Sequence, residues 1–269
     1  MDLKEKILNQ AQTALDAQNA FQLFLPKTDY VDDHGFKFII RYCDCSLLDV
    51  VPKYPKNDNP LLPPFDTDIH VCDLNEGAHH HLLINKFMQC KGHIVLSAME
   101  EDAEQGSNLN ISDFCAFEQI FTSFNNEGML YYNSGINSAC TQMHKHIQYT
   151  PIKDLPILDA MAEDQKLPII YHVKKIEGQI TSEKMMSAYQ ELLEIAKDDP
   201  PHDSYNFIVS NVFAFYIPRK KPRYKCGTMM NSFAISGNYS FWKWSDPAFV
   251  NEPLSVLEDV CFSTRESNS

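Results

Sequence analysis

The chain has 269 residues, a formal net charge of −13, 44% hydrophobic and 22% charged residues, the composition of a globular protein able to bury a substantial core. So acidic a balance excludes a general nucleic-acid binder, which needs a basic face, and no apolar run approaches the roughly 20 residues that span a bilayer. The first residues lack the apolar stretch of a signal peptide, and eight scattered cysteines without Cys-x-x-Cys spacing read as reduced thiols, so the expected compartment is the cytoplasm.

Apolar positions at helical spacing (Leu3, Ile7, Ala11, Leu15, Phe21, Phe24, Leu25) predict a lead helix over 2–25 that ends before Pro26. Residues 36–43 alternate as a strand after the Asp32-Asp33-His34-Gly35 turn. Residues 52–68 carry five prolines and predict an extended, irregular segment stiff enough around Asn59-Pro60 and Pro63-Pro64 to wall a pocket. Strands follow over 81–87 and 93–98, with His79-His80-His81 taken as the start of a strand rather than a metal motif. Asn110 or Ser112 caps a helix reaching about Phe124, and Asn125-Asn126-Glu127-Gly128 turns into a strand at 129–132. Beyond residue 150 the pattern predicts a strand over 168–174, a helix over 181–197 broken at Asp198-Asp199-Pro200-Pro201, and a hairpin of 205–210 with 213–217. A strand over 231–236, a helix over 253–262 and a frayed tail complete the chain. Hairpins mixed with a few helices indicate an α+β fold with a mainly antiparallel sheet and flanking helices. The expected organisation is one domain over 1–269, with the core at about 30–150 and an extension at about 151–262.

The chemistry concentrates in Asn133-Ser134-Gly135-Ile136-Asn137-Ser138-Ala139-Cys140-Thr141-Gln142-Met143-His144-Lys145-His146-Ile147-Gln148. On a strand from 144 to 148, His144, His146 and Gln148 share one face and Lys145 and Ile147 the other, with successive members about 6.5–7 Å apart. Neutral imidazole is a competent nucleophile towards phosphorus near pH 7. It needs its second ring nitrogen held by an acceptor, here a backbone carbonyl, and donors around the phosphate oxygens. Ser138, Thr141, Gln142 and Gln148 supply hydroxyl and amide donors, and Gly135 permits unusual backbone geometry. Two alternating histidines also suit an ordinary half-exposed strand, or a zinc site that recruits Cys140 and His93.

His144-Lys145-His146-Ile147-Gln148 resembles the His-x-His-x-Gln signature of the histidine-triad superfamily. The relevant branch holds the diadenosine tetraphosphate phosphorylases (ATP adenylyltransferases) and the galactose-1-phosphate uridylyltransferases. Lysine between the histidines favours the phosphorylases. Tyr132-Asn133-Ser134-Gly135, Asn59-Pro60 with Pro63-Pro64, residues 83–87 and 92–96, Tyr205-Asn206, Ile217-Pro218-Arg219 and Asn231-Ser232 extend the likeness over most of 30–262. The resemblance implies a histidine-triad-like fold and an adenylyl-histidine intermediate on His146. His144 would support the network behind the nucleophile, and Gln148 and Thr141 would contact the α-phosphate. Asn85 would face the ribose, His93 would support, and Asn133 would lie beside the phosphate. Arg219 and Lys220, if not a solvated turn, would add substrate contacts. The implied reaction splits diadenosine tetraphosphate with inorganic phosphate into ATP and ADP, and the reverse, without a resident cofactor or protein-bound metal; a divalent ion would come only with the nucleotide. Implied partners are dinucleoside polyphosphates, ATP, ADP and phosphate. A related sugar-nucleotide phosphorylase or uridylyltransferase, and a weakly catalytic nucleotide sensor, are the alternatives. The second is motivated by Ala139-Cys140-Thr141, where the family carries smaller or hydroxyl residues.

Overall fold

The apolar alternation of residues 80–98, 129–150 and 205–218 is absorbed by a single sheet. The computed structural model describes residues 2–47, 59–200, 203–225 and 227–264. Helix α1 (Leu3–Asp16), capped by the Asp2 carboxylate, precedes β1 (Phe21–Gln22), β2 (Phe24–Asp33), β3 (Phe36–Cys43), β4 (His70–Leu74), β5 (His80–Ile84), β6 (Phe87–Met88) and β7 (Ile94–Ala98). Helix α2 (Ile111–Ser123) begins at an Asn110–Asp113 capping box. Then come β8 (Met129–Ser134), a 3-10 turn (Ile136–Ser138), β9 (His146–Thr150), α3 (Pro156–Ala162), β10 (His172–Lys175), α4 (Ser182–Ala196) and the hairpin β11 (Tyr205–Ser210) and β12 (Phe213–Pro218). Short α5 (Ser232–Ile235), β13 (Asn238–Phe241), α6 (Ala248–Asn251) and α7 (Pro253–Val260) close the described chain.

The main sheet has eight strands in the order β10-β12-β11-β8-β9-β7-β5-β4, every neighbouring pair antiparallel. One face of it, with Leu82, Leu96, Ile147, Tyr149 and Phe207, packs on α1, α2 and α4 through Ile7, Phe117, Phe121, Met185 and Leu192. The opposite face is divided. Over β8, β11 and β12 its residues Tyr131, Ile208, Phe215 and Ile217 meet Phe38 and Ile40 of a three-stranded sheet (β13-β3-β2) together with α3, α5 and α7. Over β9, β7, β5 and β4 no described helix lies on it; the irregular segment at Leu61 does, its carbonyl accepting from the Ser97 hydroxyl at 2.6 Å. That half of the face carries His146 and Gln148.

Several expected elements differ. The lead helix stops at Asp16 rather than near Leu25, and Phe21 to Leu25 enter strands instead. Pro26 sits inside β2, an edge strand whose register shifts between Phe24 and Thr28, where a missing N–H costs no ladder bond. The strand expected over 231–236 is helix α5, because the Asn231 side chain accepts from the Ala234 N–H and starts a turn; the strand comes next, as β13 beside β3. In the 168–174 stretch only His172–Lys175 pairs as a strand, Ile169 forming a lone bridge to Ser263. Strand β4 and helix α3 had no sequence expectation. Residues 52–58 of the irregular stretch, Pro201, Cys226 and the tail from 265 fall outside the described residues.

Candidate active site

Strand β9 begins at His146, not at His144. His144 forms an isolated bridge with Glu104, because the loop after β7 slips between β9 and its neighbour: Lys145 N–H donates to the Ala103 carbonyl at 2.8 Å. His144 still stands behind His146. Its Nε2 donates to the Ala98 carbonyl at 2.8 Å, and its own carbonyl accepts from His146 Nδ1 at 2.9 Å. This second bond fixes the tautomer of His146, leaving the Nε2 lone pair free. Burial lowers the His146 pKa to about 4, against the opposing pull of that hydrogen bond, so the ring is neutral at physiological pH.

Gln148, two residues on and on the same face, has its orientation set by three donors converging on Oε1. These are His93 Nε2 at 3.1 Å, the Tyr131 hydroxyl at 3.0 Å and Asn85 Nδ2 at 3.4 Å. His93 Nδ1 accepts from the Gln89 N–H, which places the ring proton on Nε2. Burial holds this imidazole near 4 too, hence neutral. The Asn85 amide is likewise oriented, since its Oδ1 accepts from the Phe87 N–H at 2.9 Å. These three contacts occupy the oxygen of the half-buried Gln148 and leave its amide nitrogen, a pure donor, outside the network. Asn85 and His93 thus form one network with Gln148, which is distant from both in sequence.

The loop before β9 owes its shape to Gly135, at φ +73°, where a Cβ would lie 2.1 Å from the Asp203 carbonyl oxygen. Ala139 then adopts the left-handed region, φ 66°, without glycine's freedom. Ser138 is fully buried and its hydroxyl donates to the Gly135 carbonyl at 2.6 Å, so it closes the turn instead of facing a ligand. Thr141 is exposed and Gln142 half-buried, in the loop leading to His144.

Asn133 Oδ1 accepts from Asn206 Nδ2, the Ser232 N–H and the Ser232 hydroxyl, tying β8 to β11 and α5. Arg219 lies beneath this knot and not in the site. It is wholly buried, and its guanidinium donates to Asn206 Oδ1 and to the carbonyls of Met230, Lys221 and Val260. Its reach towards the site is therefore indirect, through Asn206 to Asn133. Lys220, next to it, is anchored by its backbone N–H on the Val260 carbonyl at 3.0 Å. The zinc alternative finds no support, since among the described residues neither Cys140 nor His93 joins His144 and His146 in a group of converging ligand atoms.

Two structural roles carried no sequence signal. Gln105, fully buried, bridges the gap where β8 and β9 diverge: Oε1 accepts from the His146 N–H at 2.7 Å, and Nε2 donates to the carbonyls of Asn133 at 2.9 Å and His146 at 3.1 Å. On the helical face, Lys145 Nζ donates to Asp113 of α2 at 2.7 Å, and Asp113 also accepts from His80 Nε2 at 3.1 Å. Burial opposes the Asp113 carboxylate, but the His80 hydrogen bond and the Lys145 charge outweigh it and hold its pKa below the usual range.

The fold is that of known enzymes. The crystal structure of yeast Ap4A phosphorylase Apa2 superimposes with a TM-score of 0.78 at 19% identity, covering 98% of both chains. Its complexes with AMP and with Ap4A give 0.76 at 20% and 0.77 at 18% identity, again over 98% of each chain. In sequence, diadenosine tetraphosphate phosphorylase 2 of Saccharomyces cerevisiae is 29% identical over 126 residues, a stretch spanning 42% of this chain and 38% of that relative. The family model of the Ap4A phosphorylase N-terminal domain matches residues 1–174, and that of the ATP adenylyltransferase C-terminal domain residues 165–263. Matched in this way on both sides of the sheet's midpoint, the chain belongs to the Ap4A phosphorylase and ATP adenylyltransferase family.

Proposed function

We propose that the chain is a nucleotidyltransferase that cleaves diadenosine tetraphosphate with inorganic phosphate to ATP and ADP, and runs the reverse adenylyl transfer. The observation that carries this reading is His146: neutral, hydrogen-bonded at Nδ1 to the His144 carbonyl, and on the same strand face as Gln148, whose oxygen is held by His93. Its Nε2 lone pair attacks the α-phosphorus of one adenosine, forming the N–P bond as the P–O bond to the departing triphosphate breaks, and ATP leaves. Phosphate then attacks the adenylyl-histidine, restoring the imidazole and releasing ADP. Gln148 Nε2, the Thr141 hydroxyl and the Gln142 amide donate to the α-phosphate oxygens as charge builds in the transition state. Asn85 meets the ribose and Asn133 flanks the phosphate. No resident cofactor takes part in the step. Lys220 adds a substrate contact, and Arg219 keeps Asn133 in place through Asn206. The chain works as one unit, since the eight-stranded sheet draws strands from both matched segments. A cytoplasmic setting fits its free thiols, and no described helix is long and apolar enough to cross a membrane.

Product analysis tests the proposal. Ap4A should yield ATP plus ADP only when phosphate is present, and His146→Ala should abolish both products and the acid-labile protein adduct. AMP in place of ADP, or an active His146→Ala protein, would overturn it.

A further inference from the structure

A second cluster of histidines lies at the outer edge of the main sheet, away from the nucleophile. His70 and Asp73 belong to β4 and His81 to β5. Residues three apart on a regular strand point to opposite faces. Here the register slips between His70 and Cys72, Val71 being the extra residue, and this bulge swings His70 round to the side of Asp73. Asp73 pairs directly with His81 across the ladder. The result is convergence on a single carboxylate oxygen: His81 Nδ1 lies 2.7 Å and His70 Nε2 2.9 Å from Asp73 Oδ1. All three ligand atoms lie within 4.8 Å of one another, and no other such group occurs among the described residues.

The surroundings favour an ion. Phe65 stacks on His70 at 5.3 Å and sets its edge against His81 at 4.9 Å, fixing both rings from the apolar side. The side chains of His70 and Asp73 are 33% and 43% exposed, so solvent reaches the group. Cis ligands on a zinc-sized ion with bonds of about 2.0–2.2 Å stand about 3.0–3.5 Å apart. The two short pairs would open slightly and the imidazole pair would close, with small side-chain rotations. Both imidazoles must offer a lone pair, so their protons shift to the opposite ring nitrogens through solvent. Two imidazoles with one carboxylate suit zinc, cobalt, nickel or copper, whereas magnesium and calcium prefer all-oxygen ligands.

We propose that His70, Asp73 and His81 form a binding site for a divalent transition-metal ion of the zinc class, with the remaining coordination positions open to water or a ligand. The ion clamps the edge strand β4 to β5 across the bulge. It also lies on the face used by the nucleophile, because the ladder runs Asp73, His81, Ser97, His146 and paired residues share a face. Two strand spacings, about 10 Å, separate His81 from His146.

The test uses the full chain without a polyhistidine tag, stripped with chelator and titrated with cobalt(II), then with zinc. One equivalent of cobalt should bind with visible ligand-field bands, be displaced by zinc but not by magnesium, and raise the melting temperature by several degrees. His81→Ala and Asp73→Asn should each weaken binding at least about tenfold, while His146→Asn should leave it unchanged; near-ultraviolet circular dichroism checks that each variant is folded. Absence of saturable binding at micromolar free metal, or equal affinity in the His81 and Asp73 variants, would overturn the assignment. So would loss of the equivalent in His146→Asn alone.

Discussion

Replacing Gln105 by leucine removes the side chain that stands in for a ladder bond beside His146, the proposed nucleophile. The pairing of β8 with β9 ends at Tyr131 and Gln148. Beyond that point the backbone of His146 and the Asn133 carbonyl find their partners in the Gln105 amide. Leucine has nearly the same volume, so the main effect is three buried polar groups left unsatisfied. At about 1–3 kcal/mol each, partly relieved by water, the loss of stability should come to about 3–5 kcal/mol. The freed backbone also lets His146 drift, and a displacement of about 1 Å costs about 10²-fold in rate. Urea unfolding measures the first effect and single-turnover formation of the adenylyl-protein the second, with KM for the dinucleotide little changed. Gln105→Glu separates positioning from bulk. Its carboxylate still accepts from the His146 N–H but opposes two carbonyls, so its rate should recover as the pH falls and the carboxyl is protonated. A Gln105→Leu protein with wild-type midpoint and a rate within twofold of wild type would refute the reasoning.

Two further outcomes follow from buried charge. His93 and His146 both have folded pKa values near 4, against 6.5 for a free imidazole. Since the unfolded chain binds protons first as the pH drops, stability is whole above about pH 6.5, falls between 6.5 and 4, and levels off below. Each histidine contributes ~3 kcal/mol to that fall; denaturation midpoints at pH 7.5, 6 and 5 should show it, and the rate of adenylylation should not drop with a pKa of 6.5. Lys145→Met leaves the Asp113 carboxylate buried without its cation, held only by His80 and the Asn110 N–H, and should cost about 3–5 kcal/mol, read as a lower urea midpoint. Lys145→Met with Asp113→Asn should regain part of the loss, and an unaltered midpoint in the single variant would contradict the role of the ion pair.

Local patterning alone determined much of this protein. Alternation and turn residues marked β3, β5, β7, β8 and the β11–β12 hairpin, the cap at Asn110 marked the start of α2, and apolar spacing from Thr181 marked α4. Short-range spacing also placed His146 and Gln148 on one face, with Lys145 on the other, because a strand's side-chain period leaves no other choice. Tertiary contacts decided the rest. His144 lies outside the strand because a distant loop, Ala103 to Gln105, takes its ladder partners. Arg219 is a strut rather than a contact, because the fold closes over it and its donors meet backbone carbonyls from α7 and the segment before α5. Gln105 had no motif at all; a glutamine becomes indispensable only where two strands part and leave backbone groups without partners. The left-handed Ala139 and the convergence of His70, Asp73 and His81 are of the same kind. Each depends on a bulge, a bridge or a close approach between segments that one-dimensional periodicity does not encode.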